Sequence, residues 1–376
     1  MSSTVVVQLT GSGRAAVASL LVDGPDAVGT VLRCFRSKSL KYGGLIENKT
    51  YFGSWTWSEY SEELVVCRTS EQRVEVHCHG GRLAAKTIIA TLVSLGLRKV
   101  SRTEWLDRSE ADRFQREAKA MFPHAKTERV LCILLNQVRG AMRRELQYIQ
   151  SLLLGHRIVE ATAAMKQIVA FGLVGARMDR PFSVALVGRP NAGKSSLINA
   201  MVGYERAIVF DQPGTTRDLV SVETAIDGWP VVLTDTAGLR NSDDKIEQEG
   251  IRLAIEATMQ ADLVLEIHEA VAPESQRDPE FKLAVADVDR LSVGTKADLA
   301  SPAGVLPCDV LTSAKTGEGI SVLSGRIMQK LIPFPLRDNT AVPLSQETLD
   351  VTKQILDALE DGQVEVAREM INGLLA

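Results

Sequence analysis

The chain has 376 residues, of which 45% are hydrophobic and 24% are charged, and its formal net charge at pH 7 is −4. This composition is typical of a globular protein of two or three domains, and the charge argues against a chain-wide attraction to nucleic acid or anionic lipid. Five scattered cysteines without a Cys-x-x-Cys spacing favour reduced thiols in a cytosolic protein over a disulfide framework. The first residues lack the pattern of a signal peptide, and no apolar run approaches the roughly 20 residues that span a bilayer, so a cytoplasmic protein without membrane contact is expected.

The first region of the chain, residues 1–105, combines short β-type runs with glycine-rich turns. The pattern predicts strands at residues 5–7, 63–68 and 73–77. A helical pattern over residues 84–95 lies between the last of these strands and Gly96, where a helix would end. These elements predict a small N-terminal α+β domain.

The rest of the chain alternates between helical and α/β character. Residues 106–180 carry apolar side chains at helical spacing, and residues 336–376 do so again. Between them, residues 181–335 begin with the apolar strand 184–187 and then alternate strands with helical stretches, as a mostly parallel sheet requires. We therefore predict a multidomain α/β protein in which an α/β domain is inserted into a helical domain made of two chain segments.

The segment Gly188–Ser195 has the pattern Gly-x-x-x-x-Gly-Lys-Ser and lies between the predicted strand and a predicted helix at residues 196–201. This is the context that a phosphate-binding P loop requires. Backbone N–H groups of such a loop surround the β-phosphate, Lys194 contacts the β- and γ-phosphate oxygens, and the Ser195 hydroxyl ligates Mg²⁺. The segment therefore predicts a site for a nucleoside triphosphate with Mg²⁺.

Two further motifs predict the remaining phosphate and metal contacts. Asp235 ends a β-type run, where a carboxylate holds Mg²⁺ through water, and Gly238 can donate its N–H to the γ-phosphate. The segment 214–218 lies between these motifs and contains Thr215 and Thr216. The hydroxyl of Thr216 is predicted to be a further Mg²⁺ ligand.

The base of the nucleotide is predicted to be guanine. In the segment Thr295–Asp298, the aspartate can accept hydrogen bonds from N1–H and N2–H₂, which adenine does not offer. The segment Ser313–Lys315 then supplies a backbone N–H to guanine O6. Such a motif usually begins with asparagine, and Thr295 lacks the amide, so we expect guanine binding to be weaker by about 1 kcal/mol, the value of one neutral hydrogen bond.

Sixteen residues make up the predicted nucleotide contacts. They are Asn191, Ala192, Gly193, Lys194, Ser195, Ser196, Thr215, Thr216, Asp235, Gly238, Thr295, Lys296, Asp298, Ser313, Ala314 and Lys315.

The segments GRPNAGKSSLINAM, AIVFDQPGTTRD, DTAGLR and SAKTGEGI together resemble the G domain of the MnmE (TrmE) family of tRNA-modification GTPases. VEVHCHGG, at residues 74–81, is similar to a segment of that family's N-terminal domain. The resemblance implies GTP hydrolysis in the modification of the wobble uridine of tRNA. It also implies a homodimer, a partner of the FAD-containing MnmG type, and a tetrahydrofolate derivative bound by the N-terminal domain.

The resemblance also implies how GTP is hydrolysed. In small GTPases such as Ras a glutamine orients the attacking water, whereas Leu239 follows the Asp-Thr-Ala-Gly motif here. In the MnmE family, G domains pair across a dimer and a K⁺ ion replaces an arginine finger. Asn191 matches the asparagine that coordinates this ion, and Glu247 matches the glutamate that positions the water indirectly. The implied catalytic residues are Glu247, Lys194 and Thr216.

Two departures from the family pattern keep other functions open. The family ends in Cys-x-Gly-Lys and uses that cysteine in the modification, whereas no cysteine follows Cys308 here. Leu21 replaces an arginine near the folate-binding region of the family. An alternative function is therefore a GTP-dependent switch or assembly factor without the tRNA chemistry, and a third is a nucleotide-binding module without turnover.

Three other clusters have both a functional and a structural interpretation. His77–His79 could ligate a metal or could only end a strand. The aromatic run Tyr51–Trp57 could stack on a pterin or a base, or could pack into a core. A set of basic residues could contact tRNA phosphates or could be solvated; it consists of Arg33, Arg36, Lys38, Lys41, Arg139, Arg143 and Arg144.

Overall fold

A computed structural model describes residues 4–11, 15–40, 44–57, 60–189, 191–204, 220–235, 258–271, 289–300, 307–332, 334, 336 and 339–376. The chain forms two compact units, Met1–His124 and Ala125–Ala376. The finer division into four segments stays a prediction.

The first unit is built on a seven-stranded sheet of order β3-β4-β5-β6-β2-β1-β7. Its strands are β1 Val5–Gln8, β2 Val17–Asp23, β3 Phe35–Arg36, β4 Thr50–Trp57, β5 Tyr60–Ser70, β6 Arg73–His79 and β7 Arg98–Lys99. Neighbouring strands are antiparallel except β1 and β7, which are parallel. The helices are α1 Ala27–Cys34, α2 Arg82–Ser94, α3 Arg102–Ser109 and α4 Arg113–Met121. The α+β character predicted for this region is confirmed.

The pleat of β6 separates the core of this unit from its polar face. Val74, Val76 and Cys78 are buried in the hydrophobic core, whereas His77 and His79 lie on the opposite face. Helix α2 packs against β6 and contributes its own buried apolar residues to the same core. Because each buried aliphatic side chain contributes about 1.5–3 kcal/mol, this alternation fixes the register of the strand.

The second unit contains a six-stranded sheet of order β13-β12-β11-β8-β10-β9. Its strands are β8 Phe182–Val187, β9 Val220–Ile226, β10 Trp229–Asp235, β11 Leu263–Glu269, β12 Arg290–Thr295 and β13 Val310–Leu311. Its helices are α5 Glu128–Val138, α6 Ala141–Leu154, α7 Ile158–Ala170, α8 Gly172–Gly175, α9 Lys194–Tyr204, α10 Ile320–Leu331, α11 Gln346–Glu360 and α12 Val364–Leu375. All sheet neighbours are parallel except β9 and β10, so the carboxyl ends of five strands meet at one edge.

Helices from before and after the sheet form one bundle. Helix α11 packs against α7, and α12 packs against α6. The side chain of Gln137, 1% exposed, donates from Nε2 to the Thr340 carbonyl at 2.9 Å and accepts at Oε1 from the Val342 N–H at 3.2 Å. Gly172 permits close packing, because a Cβ there would lie 2.2 Å from Cδ1 of Leu349. The sheet is therefore inserted between two halves of a helical bundle, as predicted.

Residues 158–175, which α7 and α8 occupy, are long and apolar enough to cross a membrane by length and composition alone. Ala161, Met165 and Ile168 of α7 are buried, and α7 packs against both α6 and α11. This is the arrangement of a core helix in the bundle.

Charged contacts join the bundle to the sheet within the second unit. Arg177 forms an ion pair with Asp262, whose other carboxylate oxygen accepts from the backbone N–H of Ser183 at 2.8 Å, at the start of β8. At the edge of the sheet that β9 forms, Lys126 pairs with Glu223 at 2.6 Å. These contacts hold the sheet, and thus the edge that carries the site, against the helices.

Candidate nucleotide site

The P loop connects β8 to α9 at the carboxyl edge of the sheet. Gly188 has a φ of +155°, and a Cβ there would lie 2.2 Å from the carbonyl oxygen of Ile267 on β11, so only glycine fits. Asn191 and Gly193 have φ values of +65° and +90°. Left-handed residues of this kind turn successive backbone N–H groups toward one concavity, which is how such loops bind anions.

Lys194 places a buried cation at the head of this loop. Its side chain is 4% exposed, and Nζ donates to the carbonyl oxygens of Gly188 at 2.8 Å and Arg189 at 2.9 Å. It is also the first residue of α9, whose N-terminal N–H groups and dipole favour negative charge. The next two residues, Ser195 and Ser196, follow in the first turn of α9. The loop thus concentrates positive potential where a phosphate would bind.

Ser195 and Asp235 lie together although they come from different elements. Strand β10 pairs with β8 in a register that places Asp235 opposite Leu186, at the end of the sheet. Its carboxylate is 4% exposed and accepts from the Ser195 hydroxyl at 2.6 Å. Hydroxyl and carboxylate oxygens are the ligands that Mg²⁺ prefers, so this pair suits a Mg²⁺ ion bound beside the phosphates.

Thr295 and Lys296 close the site beside the P loop. The buried Thr295 hydroxyl lies 2.6 Å from the carbonyl oxygen of Ala192 and 3.1 Å from that of His268. Since a hydroxyl carries one proton, that proton is used within the protein. Lys296 has a left-handed backbone, φ +57°, and its Nζ pairs with Glu269 at 2.5 Å. Together the two residues fix the end of β12 against the P loop and β11.

Asp298 is oriented by a serine of the second guanine-binding segment. The Ser313 hydroxyl donates to Oδ1 of Asp298 at 2.7 Å. The backbone N–H of Ser313 is engaged with the carbonyl of Glu318 at 2.9 Å. Within the parts of the chain that the structure describes, no backbone carbonyl accepts from Ala314 or Lys315. The backbone N–H predicted to donate to guanine O6 is therefore that of Ala314 or Lys315.

Four predicted site residues lie outside the described residues, namely Thr215, Thr216, Gly238 and Glu247. Their roles in metal binding, phosphate binding and catalysis stay predictions. The other predicted residues converge on the carboxyl edge of the sheet and fit a Mg²⁺-bound guanine nucleotide in charge and donor type.

Two contacts of this site could not be predicted from the sequence. The pairing of Ser313 with Asp298 and that of Lys296 with Glu269 both join segments that are distant in the chain. Glu269, at the end of β11, had no motif to mark it. Its only available signal was its position at the carboxyl end of a parallel strand.

The histidines of β6 have structural partners. Nδ1 of His77 lies 2.9 Å from the Ser19 hydroxyl, and Nδ1 of His79 lies 2.6 Å from Oε1 of Glu62. Burial raises the pKa of the Cys78 thiol to about 11, so it stays protonated and is a poor ligand near neutral pH. Among the described residues no group of three His, Cys, Asp or Glu side chains could hold a metal ion. The structural interpretation is therefore favoured.

The two other ambiguous clusters divide between both interpretations. Tyr51 and Trp55 are buried in the core of the first unit, whereas Phe52 is 62% exposed. Arg143 donates to the Leu375 carbonyl at 2.8 Å, which ties it to the end of α12 rather than leaving it for phosphate contact. Half of the aromatic run is thus core. Arg36 and Arg144 also donate to backbone carbonyls, so three of the basic residues have structural contacts, and Lys41 lies outside the described residues.

The described part of the first unit offers a small cavity with both polar and apolar lining residues. Its volume is 240 Å³, and Gln8, Gly80, Lys86 and Lys99 are among its lining residues. Sites for small molecules usually measure about 300–1,000 Å³. The described residues would thus enclose only part of a tetrahydrofolate derivative, whose binding stays a prediction.

Comparison with known proteins places these features in a family. Residues 183–293 match a family described as 50S ribosome-binding GTPase. The tRNA modification GTPase MnmE of Salinibacter ruber is 32% identical to this chain, over 96% of this chain and 90% of that protein. The tRNA modification GTPase MnmE of Natranaerobius thermophilus is 28% identical, over 99% and 92%. Among solved structures, the G domain of the T. maritima FeoB iron transporter matches 40% of this chain and 99% of its own, with 26% identity and a TM-score of 0.30.

Proposed function

The chain belongs to the MnmE family of tRNA modification GTPases and is a GTP-binding, GTP-hydrolysing enzyme, and from that premise we propose that it acts in modifying the wobble uridine of tRNA. Hydrolysis is stimulated by K⁺ and requires the G domains of a homodimer to pair. The observation that carries the proposal is the convergence of Lys194, the Ser195–Asp235 pair and Asp298 at one edge of the sheet. The enzyme works in the cytoplasm with a partner of the FAD-containing MnmG type.

Within this proposal each described side chain has a definite task. Lys194 and the N–H groups of the loop bind the β- and γ-phosphates, and Asp298 accepts from the guanine edge. Ser195 and Asp235, together with Thr216, would hold Mg²⁺. When bound, the ion neutralises negative charge on the phosphate oxygens.

The role proposed for Asn191 rests on its backbone as well as on its matched position. A non-glycine residue with a φ of +65° is uncommon, and asparagine is among the residues that tolerate it best. The residue is exposed. Its amide oxygen is therefore available to K⁺, whose charge would offset the negative charge that develops near the bridging oxygen in the transition state.

GTP turnover in K⁺ and in Na⁺ at equal ionic strength tests the ion mechanism. We expect turnover to be at least about tenfold faster in K⁺, corresponding to roughly 1.4 kcal/mol of the barrier. The variant Asn191→Ala should lose this preference, while Asn199→Ala, which removes the same side chain from the exposed face of α9, should keep it. Equal rates in both salts, or no turnover in either, would contradict the mechanism.

The variant Glu247→Ala tests the water-positioning role separately. Hydrolysis should slow by about 100-fold, because a misplaced reactant costs an enzyme about that factor in rate. GTP affinity should stay within about twofold, since the carboxylate is not proposed to contact the ground-state nucleotide. The variant Asp244→Ala, a nearby acid with no proposed role, should hydrolyse GTP normally. Slow hydrolysis in both variants would argue for a general disturbance of the segment.

Complementation decides whether the hydrolysis drives tRNA chemistry. The chain is expressed in a strain that lacks its tRNA-modification GTPase, and the wobble uridine is measured by mass spectrometry. Restored modification supports the proposal. An unmodified uridine, with K⁺-stimulated GTP hydrolysis intact in the purified protein, would instead favour a GTP-dependent switch or assembly factor.

A further inference from the structure

The helical bundle of the second unit contains a cavity that is separate from the nucleotide site. Its volume is 460 Å³, and it lies between α6, α7 and the segment 339–341. That volume is within the range of about 300–1,000 Å³ that small-molecule sites occupy. None of the residues that line it belongs to the P loop or to the guanine motifs.

The walls of the cavity are fixed by contacts that do not involve a ligand. Gln137 holds the segment behind it through hydrogen bonds to the backbones of Thr340 and Val342. Phe171 and Phe334 meet edge to face, with ring centroids 6.2 Å apart and an interplanar angle of 78°. Aromatic pairs in this arrangement contribute about 0.5–1.5 kcal/mol beyond their buried area, so the cavity is shaped before anything enters it.

Glu145 brings a carboxylate into this cavity. It lies on the packed face of α6, one turn from the buried side chains of Met142 and Ile149. Burial raises the pKa of its carboxyl. Among the residues that the structure describes, no side chain forms an ion pair or a hydrogen bond with it. A half-buried carboxylate in this position destabilises the fold unless something compensates its charge.

The other lining groups define the chemistry that would compensate Glu145. Lys166 at the rim is neutralised by Glu360, whose Oε1 lies 2.7 Å from its Nζ. The other described residues of the lining are apolar or neutral and include two phenylalanine rings and the amides of Gln167 and Asn339. A single carboxylate with neutral neighbours is a poor site for a divalent metal, and aromatic rings favour organic cations.

We propose that this cavity binds a small organic cation. Its amidinium, guanidinium or ammonium group donates hydrogen bonds to the Glu145 carboxylate. Its flat apolar body lies against Phe171 and Phe334. The proposal concerns a second ligand of the chain and does not depend on the role proposed for GTP hydrolysis.

Three probes of one shape and different charge test the chemistry, namely benzamidine, benzamide and benzoate. Binding to the full-length protein is measured by titration calorimetry and by saturation-transfer NMR. Ligand concentrations up to about 10 mM allow dissociation constants as weak as about 10 mM, or about −3 kcal/mol, to be detected. We expect benzamidine to bind at least about tenfold more tightly than benzamide, and benzoate not to bind. Equal affinities for the cation and the neutral probe, or no binding of benzamidine, would overturn the proposal.

Two glutamate variants locate the interaction. Glu145→Gln keeps the shape of the side chain and removes its charge, so benzamidine affinity should fall by about tenfold while that of benzamide is unchanged. Glu369→Gln makes the same change on the exposed face of α12 and should alter neither affinity. Both variants should hydrolyse GTP at the rate of the unaltered protein, which reports that they are folded. Unchanged benzamidine binding in Glu145→Gln would show that the cation binds elsewhere and would refute the assignment.

Discussion

The hydroxyl of Thr295 donates a hydrogen bond to the carbonyl oxygen of Ala192 at 2.6 Å. This bond joins the end of β12, where the predicted guanine-binding segment begins, to the P loop. Replacing Thr295 by valine keeps the shape of the side chain and removes the donor from two carbonyls. We expect the free energy of unfolding to fall by about 1–3 kcal/mol, the cost of a buried group left without its partner. GTP affinity should fall by about fivefold, since the loop and the base site lose their connection. Denaturant unfolding and calorimetry of a non-hydrolysable GTP analogue measure both.

The control for this change is Thr295→Ser, which retains the hydroxyl and loses only a methyl group. It should bind the nucleotide nearly as tightly as the unaltered chain. Weaker binding in the serine variant but not in the valine variant would mean that the methyl group, and not the hydrogen bond, holds the loop.

Replacement by alanine should have opposite effects on the free energy of unfolding at Gly188 and at Gly203. A Cβ on Gly188 would meet the Ile267 carbonyl at 2.2 Å, at a φ of +155°, whereas a Cβ on Gly203 in α9 would meet nothing within 4 Å. Gly188→Ala should lower the free energy of unfolding by about 1–3 kcal/mol or more and greatly weaken GTP binding. Gly203→Ala should raise that free energy by up to about 1 kcal/mol, because alanine favours a helix. Thermal unfolding with and without GTP compares them, and a stable, GTP-binding Gly188→Ala variant would contradict this account of the loop.

Asp298 should determine which purine the enzyme accepts. In Asp298→Asn the carboxylate that accepts two guanine N–H groups becomes an amide, which instead matches the oxygen at position 2 of xanthine. GTP hydrolysis should fall by at least about tenfold, and hydrolysis of xanthosine triphosphate should rise, because unpaired polar groups in a built site reject the wrong ligand. Competition between the two nucleotides in one turnover assay measures the switch.

The contrasting variant for this test is Ser313→Ala, which removes the hydroxyl 2.7 Å from Oδ1 of Asp298. It should weaken GTP binding without any gain for xanthosine triphosphate. A gain in that variant would mean that orientation of the carboxylate, rather than its identity, selects the base.

Glu145 should make the stability of the fold depend on pH in a defined direction. Burial raises its pKa in the folded chain above the unfolded value, so the folded state binds the proton more readily. Its contribution to stability is therefore greatest below the unfolded pKa and falls as pH rises through the folded pKa. Glu145→Gln should be more stable than the unaltered chain at pH 7, and this difference should shrink on acidification through that window. Urea unfolding of both proteins from pH 4 to pH 7 measures the difference, and a gap that widens toward acid would contradict the assignment.

Much of the nucleotide site could be predicted because its chemistry is local. The spacing from Gly188 to Ser195 encodes one loop, and the apolar run before it encodes a buried strand that ends where the loop begins. The position of Asp235 could be predicted in the same way, because a strand that lies parallel to β8 must end at the same edge of the sheet.

The contacts between distant segments could not be predicted, since periodicity gives no information on which elements meet. Thr295 is 103 positions from Ala192, and nothing in either segment encodes their hydrogen bond. Helical spacing likewise did not reveal that α3 would pack on β1, or that the indole N–H of its Trp105 would donate to Asp23 at the end of β2, at 2.7 Å. One sequence yields the elements and the local motifs, whereas the pairing of elements depends on the complete three-dimensional packing.

The hydrogen bond from Gln137 to Thr340, across 203 positions, has a consequence for how the protein is made. A ribosome that adds about 5–20 residues each second releases α5–α8 roughly 10–40 s before the partner helices α11 and α12. During that interval the faces of α6 and α7 that the bundle will bury have no permanent neighbour, and the intervening sheet is synthesised first. Closure of the bundle therefore waits for α11 and α12, and a chain interrupted within the GTPase domain exposes an apolar surface that chaperones and proteases can recognise.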